Sequence, residues 1–399
     1  MIRAGRAAVA RPAAGRLGGL LHEARVRDAL LQLLVLAAVI ALFGFLVANA
    51  ASALRARGIA SGFGYLFQEA GFGIGESFLL GYSPSDTYLR AFLVGLFNTL
   101  RVSLLAIIAA TLLGLVLGLM RLSRNLGITW LASVYVELFR NTPQLLQIVF
   151  WYAVMTRLPG PRQALSPGGG IFLSNRGLKL PWPAPQDVHG SMLAAFAGGI
   201  AAAWLLGRWG RRRRDRAGAV PPLGRWQAAF VVLPPLAAWL AVGAPATLDY
   251  PALRGLNFVG GVTLSPEFIA LFLGLALYTA AFIAEIVRSG IEAVGRGQVE
   301  AARSLGLSPR QVNRLVVLPQ ALRVMIPPAA GQYVSLAKSS SLAVVIGYPD
   351  LVNVSNTTLN QTGHVVEALA LMSAVYLLIS FSIAALMNLY NRAVAIQER

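Results

Sequence analysis

Apolar residues along the chain gather into long runs, separated by shorter stretches rich in arginine, glycine and proline. A hydrocarbon core about 30 Å thick is crossed by roughly 20 apolar residues in a helix. Runs approaching that length lie at 30–50, 91–120, 129–155, 191–207, 228–245, 266–287, 324–346 and 366–389. None shows the period-2 alternation of a membrane strand, so the pattern predicts an all-α, polytopic membrane helical bundle of about 8 transmembrane helices, not a barrel. The runs at 191–207 and 228–245 are weaker, and the second contains Pro234-Pro235, which only neighbouring helices can accommodate.

The connecting stretches differ in character. Residues 1–28 carry six arginines without helical periodicity and read as a solvated basic arm. Ala48-Asn49-Ala50 follows the first run like a signal-peptide cleavage site, but the run has nearly full spanning length and a long leader, which favours a retained anchor. Residues 51–90 form a Gly- and aromatic-rich loop ending in Tyr82-Ser83-Pro84-Ser85-Asp86, a capped turn before the next helix. Residues 157–189, with Leu158-Pro159-Gly160-Pro161 and Pro181-Trp182-Pro183, are too broken for a membrane helix and read as a loop.

Composition agrees with lipid as the solvent, since 56% of residues are apolar and 13% charged. The net charge of +18 would point to nucleic acid in a soluble protein, but here the arginines cluster at the ends of apolar runs without interleaved aromatics, which argues against it. Assigning alternate connections to alternate sides puts 23 basic residues on one side and 8 on the other. By the positive-inside rule both termini, Arg208 to Arg225, and residues 291–320 are cytoplasmic.

The last of these segments has a shape of its own. Residues 300–319 read as two short amphipathic helices meeting at a corner. Gly306 supplies the left-handed turn, Ser308 caps the second helix, Pro309 takes its first position and Pro319 stops it. Glu300-Ala301-Ala302, then Gly306, then Val316, Leu318 and Pro319 carry the spacing of the ATPase-docking loop of the permease subunits of ABC importers, which the chain resembles. Segments 137–144 and 284–291 are similar to those of the polar amino-acid (histidine/glutamine) permeases, and residues 82–86 and 340–350 to the larger permease of general L-amino-acid transporters.

The resemblance implies a five-helix permease core with an extra N-terminal helix and an inserted helix pair. Its parts are a cytoplasmic basic arm (1–28), an N-terminal transmembrane helix and periplasmic loop (29–90), the first part of the core (91–156), an insert (157–265) and the second part of the core (266–392). It further implies a multi-pass protein of the bacterial inner membrane that imports L-amino acids. The expected partners are an ATP-binding subunit, a second related permease or another copy of this chain, and a periplasmic solute-binding protein. ATP and magnesium would be held by the partner ATPase, because this chain has no Gly-x-x-x-x-Gly-Lys-Ser/Thr loop and its two lysines are Lys179 and Lys338. An ion-gradient-driven secondary transporter is the alternative, though no repeated half is visible.

Ionisable groups in hydrocarbon cost at least about 2.5 kcal/mol at a helix centre, so those within the spans are candidates for the translocation path. The candidates are Arg140, with the polar or helix-breaking Asn141, Thr142 and Pro143 beside it in the third run, Glu285 in the sixth, and Lys338 with Ser339 and Ser340 in the seventh. Lys338 can attract a substrate carboxylate or pair with Glu285 or Glu137. Asn98, Thr99 and Ser103 read as helix-to-helix hydrogen bonding, and Gly114 and Gly118 as a close-packing pair. His22, His189 and His364 lack metal-ligand spacing, there is no cysteine, and no nucleophile stands beside a base.

Overall fold

A computed structural model describes residues 24–56, 62–77, 80–183, 188–217, 223–241 and 248–394. Most of the basic arm, residues 1–23, lies outside them. Helix α1 (Ala24–Ala56) runs without interruption through the first apolar run and through Ala48-Asn49-Ala50. The turn at 83–86 is closed by the Asp86 N–H donating to the Ser83 carbonyl and by the Asp86 carboxylate accepting from the Ser83 N–H, each at 2.8 Å. It delivers the chain to α2 (Tyr88–Arg121), which Thr87 caps.

The third apolar run breaks where proline removes a backbone donor. Thr142 and Pro143 are extended, dividing it into α3 (Leu126–Asn141) and α4 (Gln144–Thr156). Among the described residues of the stretch from 157 to 189, those up to 183 are not irregular throughout, as the proline and glycine content suggests. Strands β1 (Leu165–Gly168), β2 (Ile171–Ser174) and β3 (Gly177–Leu180) form an antiparallel meander. These strands are too short, and too interrupted by Gly168-Gly169-Gly170, for alternation to register in the sequence.

Strand β4 (Trp182–Pro183) precedes the inserted helices α5 (Val188–Ala217) and α6 (Gly224–Ala241), which pack on each other. A Cβ at Gly199 would lie 2.2 Å from the Phe230 carbonyl oxygen, so this contact requires glycine. Pro234 and Pro235 sit within α6 without ending it. The insert closes through β5 (Leu248–Asp249), which pairs with β4, a hairpin of β6 (Ala252–Arg254) and β7 (Asn257–Val259), and β8 (Val262–Leu264), which pairs with β3.

Helix α7 (Pro266–Glu292) is capped by Ser265 and is the central element of the core. It runs parallel to α2, and the spacing of Gly114 and Gly118 accounts for their closeness. A Cβ at Gly114 would come within 2.6 Å of Ile283 Cβ, and one at Gly118 within 2.7 Å of Val287 Cβ. The chain then turns through α8 (Arg296–Ser304) and α9 (Pro309–Val312), widens into a π turn at Asn313–Val317, and continues as α10 (Leu318–Ser339). The seventh apolar run is therefore not one α-helix, because residues 340–346 tighten into a 3₁₀ helix. Helices α11 (Leu351–Thr362) and α12 (Val365–Val394) complete the described chain. By length and composition, Tyr88–Arg121, Pro266–Glu292 and Val365–Asn391 suffice to cross a membrane, while Leu30–Leu46, Gln144–Thr156 and Trp226–Ala241 are shorter apolar helices.

Candidate functional site

The corner between α8 and α9 is made by local hydrogen bonding. At the end of α8 the Gly306 N–H donates to the Arg303 carbonyl (2.9 Å) and the Leu307 N–H to that of Ala302 (3.3 Å). This is the Schellman pattern, which needs the positive φ of +79° that Gly306 supplies. Two residues on, Ser308 and Gln311 form a reciprocal capping box. The Ser308 N–H donates to Gln311 Oε1 (2.9 Å), and Ser308 Oγ accepts from the Gln311 N–H (3.4 Å). Pro309 occupies the first helical position, where no donor is required.

Packing divides the corner's residues sharply. Ala302 and Val312 are buried, whereas Glu300, Ala301, Arg303, Arg310 and Arg314 are exposed, and Leu305 shows 81% of its surface. Pro319 does not stop the helix. The Leu318 N–H donates to the Asn313 carbonyl across a π turn, and Pro319 falls in the first turn of α10. The extra residue per turn keeps its ring clear of the carbonyl it would otherwise strike. Val316 is partly buried and Leu318 half exposed beside it. A cavity of about 490 Å³ lies behind the corner, lined by Leu119, Leu122, Ile291, Arg310, Asn313 and Leu318 among others.

Glu285 belongs to the neighbourhood of the corner. Its carboxylate is bonded to Arg121 at the end of α2 and to Arg288 at 2.5 Å, and Arg288 also reaches Glu292 at 2.5 Å. The cluster ties α2 to the last turns of α7. Glu137 accepts from Asn141 at 3.1 Å. Neither acid therefore pairs with Lys338, whose ammonium has no carboxylate partner among the described residues. Lys338 lines a cavity of about 400 Å³ with Ser341, Ser373, Tyr376 and Ser380. Ser339 is partly buried, and Ser340 is fully buried with its hydroxyl donating to the Ala337 carbonyl at 2.7 Å.

The α3–α4 break forms a separate place. Arg140 lies 5.3 Å over the Phe282 ring, Asn141 and Pro143 are exposed, and the Thr142 hydroxyl donates to the Leu138 carbonyl at 2.9 Å. Gln147, which the sequence does not single out, bridges the break. Its Nε2 donates to the Phe139 carbonyl at 3.0 Å and to Thr142 Oγ1 at 2.6 Å, supplying a donor where Pro143 has none. Thr142 and Gln147 line a second cavity of about 390 Å³, distinct from that of Lys338.

At the opposite end of α2, Arg101 binds Glu76 at 2.5 Å and lies 4.3 Å over the Phe268 ring, and Ser265 donates to the same carboxylate at 2.6 Å. The Asn98 amide donates to the Glu76 and Pro349 carbonyls at 2.8 and 2.9 Å, and Thr99 accepts from the Leu351 N–H at 3.0 Å. Thr99 thus fastens α2 to the first residue of α11, while Asn98 fastens it to backbone outside the helices. Ser103 is buried without a hydrogen-bond partner among the described residues. Asp350, capping α11, is buried here, and burial pushes its carboxyl up to about 7. Among the described residues no group of three or more His, Asp or Glu could hold a metal.

Residues 110–396 match the model of a family described as binding-protein-dependent transport system inner membrane component. The chain is 49% identical over 377 residues to the putative amino-acid ABC transporter permease protein YhdX of Escherichia coli (strain K12), covering 94% of this chain and 95% of that one. It is 43% identical to the general L-amino acid transport system permease protein AapQ of Rhizobium johnstonii, covering 95% of each. It is 39% identical to the glutamate/glutamine/aspartate/asparagine transport system permease protein BztB of Rhodobacter capsulatus, covering 97% of this chain and 98% of that one.

Proposed function

The chain belongs to the family of binding-protein-dependent transport system inner membrane components, and from that premise we propose that it is the permease subunit of an ABC importer for L-amino acids. The observation that carries the reading is the corner at 300–319, a compact, exposed turn held by its own caps and offering Glu300, Leu305 and the three arginines Arg303, Arg310 and Arg314 to a partner. Its occupant is a separate ATP-binding subunit, which holds ATP and magnesium and performs the hydrolysis. Ala302 and Val312 root the corner, and Val316, Leu318 and Pro319 carry its displacement into α10. The core then moves between two discrete packings, one open to each side of the membrane.

The substrate class follows the names of the relatives above, two of which specify amino acids of broad or acidic and amide type. Within this chain, Lys338 is the residue suited to a substrate carboxylate, since it lines a largely apolar cavity in which Ser341, Ser373, Tyr376 and Ser380 supply hydroxyls, and it has no acid neutralising it among the described residues. Thr142 at the α3–α4 break lines a separate cavity and is the second residue we assign to the translocation path, with Arg140, Asn141 and Pro143 shaping the break. Ser339 and Ser340 set the change from α to 3₁₀ geometry beside Lys338, and Glu285 positions the α2 and α7 ends near the corner.

The assembly contains a second permease, related to this chain or identical to it, and a solute-binding protein on the periplasmic face. Both termini and the corner are cytoplasmic, and residues 91–156 and 266–392 form the core around the 157–265 insert. Uptake of radiolabelled amino acids by vesicles holding the assembled complex tests the reading. Uptake should require ATP and persist when an uncoupler collapses the ion gradients. Uptake abolished by the uncoupler at constant ATP would show an ion-driven carrier instead.

A further inference from the structure

We propose that the arginine-bearing end of the inserted helix pair is a binding site for anionic phospholipid headgroups. Helix α5 stays helical to Ala217, ten residues beyond the apolar run that ends at 207, and Arg208, Arg211, Arg212, Arg213, Arg214 and Arg216 all fall in that extension. The only acid between 208 and 225 is Asp215. A basic segment directly continuing an apolar helix places its charge at the depth of lipid phosphates.

The side chains described there match a headgroup in order and chemistry. Trp204 and Trp209 are half exposed, at 56% and 47%, as indoles of a membrane-interface belt would be. The Arg208 guanidinium lies 5.5 Å from the Trp204 ring centroid, and that of Arg213 lies 5.1 Å from that of Trp209. A cation–π contact at this distance uses the charge of the guanidinium without consuming its N–H donors, which can still serve phosphate oxygens. Neither arginine has a carboxylate partner among the described residues. Trp204, Leu205, Arg208 and Trp209 line an open cavity of about 390 Å³, which joins apolar wall to cationic rim. Charge complementarity selects the occupant, because a zwitterionic headgroup returns a cation to the same rim.

The test is native mass spectrometry of the full-length chain extracted from nanodiscs containing equal phosphatidylglycerol and phosphatidylcholine. The wild type should retain phosphatidylglycerol selectively, and the Arg208→Gln/Arg213→Gln variant should lose that retention on the order of tenfold. Retention in the wild type should also fall in molar salt, an arm that decides the matter if the variant does not fold. No selectivity in the wild type, selectivity surviving the double substitution, or selectivity indifferent to salt would overturn the site. So would a photo-crosslinker at position 213 that captures the ATPase subunit instead of lipid. The readout needs no transport, so its failure is separable from failure of the importer assignment.

Discussion

At one end of the α2–α7 pair, Arg101, Glu76, Asn98 and Thr99 are buried or nearly so and each is bonded to another segment. At the other end Glu300, Arg303, Leu305 and Arg310 of the corner project from a turn whose bonds are all local. The first arrangement joins each of these four groups to another segment, and so it fastens. The second keeps its charged and apolar side chains unspent while its Schellman turn and capping box close the backbone locally, which is how a surface is prepared for a partner without fraying beforehand. Between them, Gly114 and Gly118 let α2 and α7 touch along their length, so displacement at one end is passed along a close-packed pair.

The contrast can be broken at the fastened end most severely. Arg101→Ala leaves Glu76 in a nearly buried position with Ser265 and should destabilise the purified chain by about 3 kcal/mol, read as a lowered Tm in detergent. Gly114→Leu drives a side chain into Ile283 and the Ala280 carbonyl, and overpacking of this kind costs about 1–3 kcal/mol by the same assay. At the corner, Ser308→Ala removes half of the capping box and should cost about 1 kcal/mol, detected as faster amide exchange at 310–312 with little change in Tm.

Asp350 sharpens the comparison through pH. The unfolded carboxyl ionises near 3.8 and the folded one near 7, so between those values the folded state holds a proton that the unfolded state has released. Stability therefore falls as pH rises through that interval. Asp350→Asn keeps an acceptor for the Asn353 N–H and should flatten the fall of Tm between about pH 4 and 7.

How far the sequence reveals these two ends follows from what makes them. The corner is legible because its bonds are local. A glycine, a serine and a proline at fixed offsets specify the turn without reference to the rest of the chain. The fastened end is hardly legible, since Glu76 and Arg101 are 25 residues apart and Asn98 meets Pro349 across 251. In the sequence, Arg101 shows only as an isolated charge in an apolar run. Gln147 is missed for a related reason, as a glutamine one turn after a proline looks like any helix residue until the broken backbone beside it is seen. Strands β1 to β3 escape because long-range pairing with β8, not local alternation, holds the third of them in place. Pro319 misleads because proline excludes an ordinary helical turn but not a π turn.

The central claim is that the 300–319 corner transmits an ATPase's closure to the membrane core. Its most direct test is ATP-driven amino-acid uptake by the reconstituted complex carrying Glu300→Ala or Gly306→Val, with membrane insertion measured in parallel. Gly306→Val places a branched side chain at a φ of +79°, which only glycine adopts without strain, and so deforms the corner without touching any span. Uptake should be lost in both variants while insertion stays at the wild-type level. Normal uptake in both would contradict the coupling role.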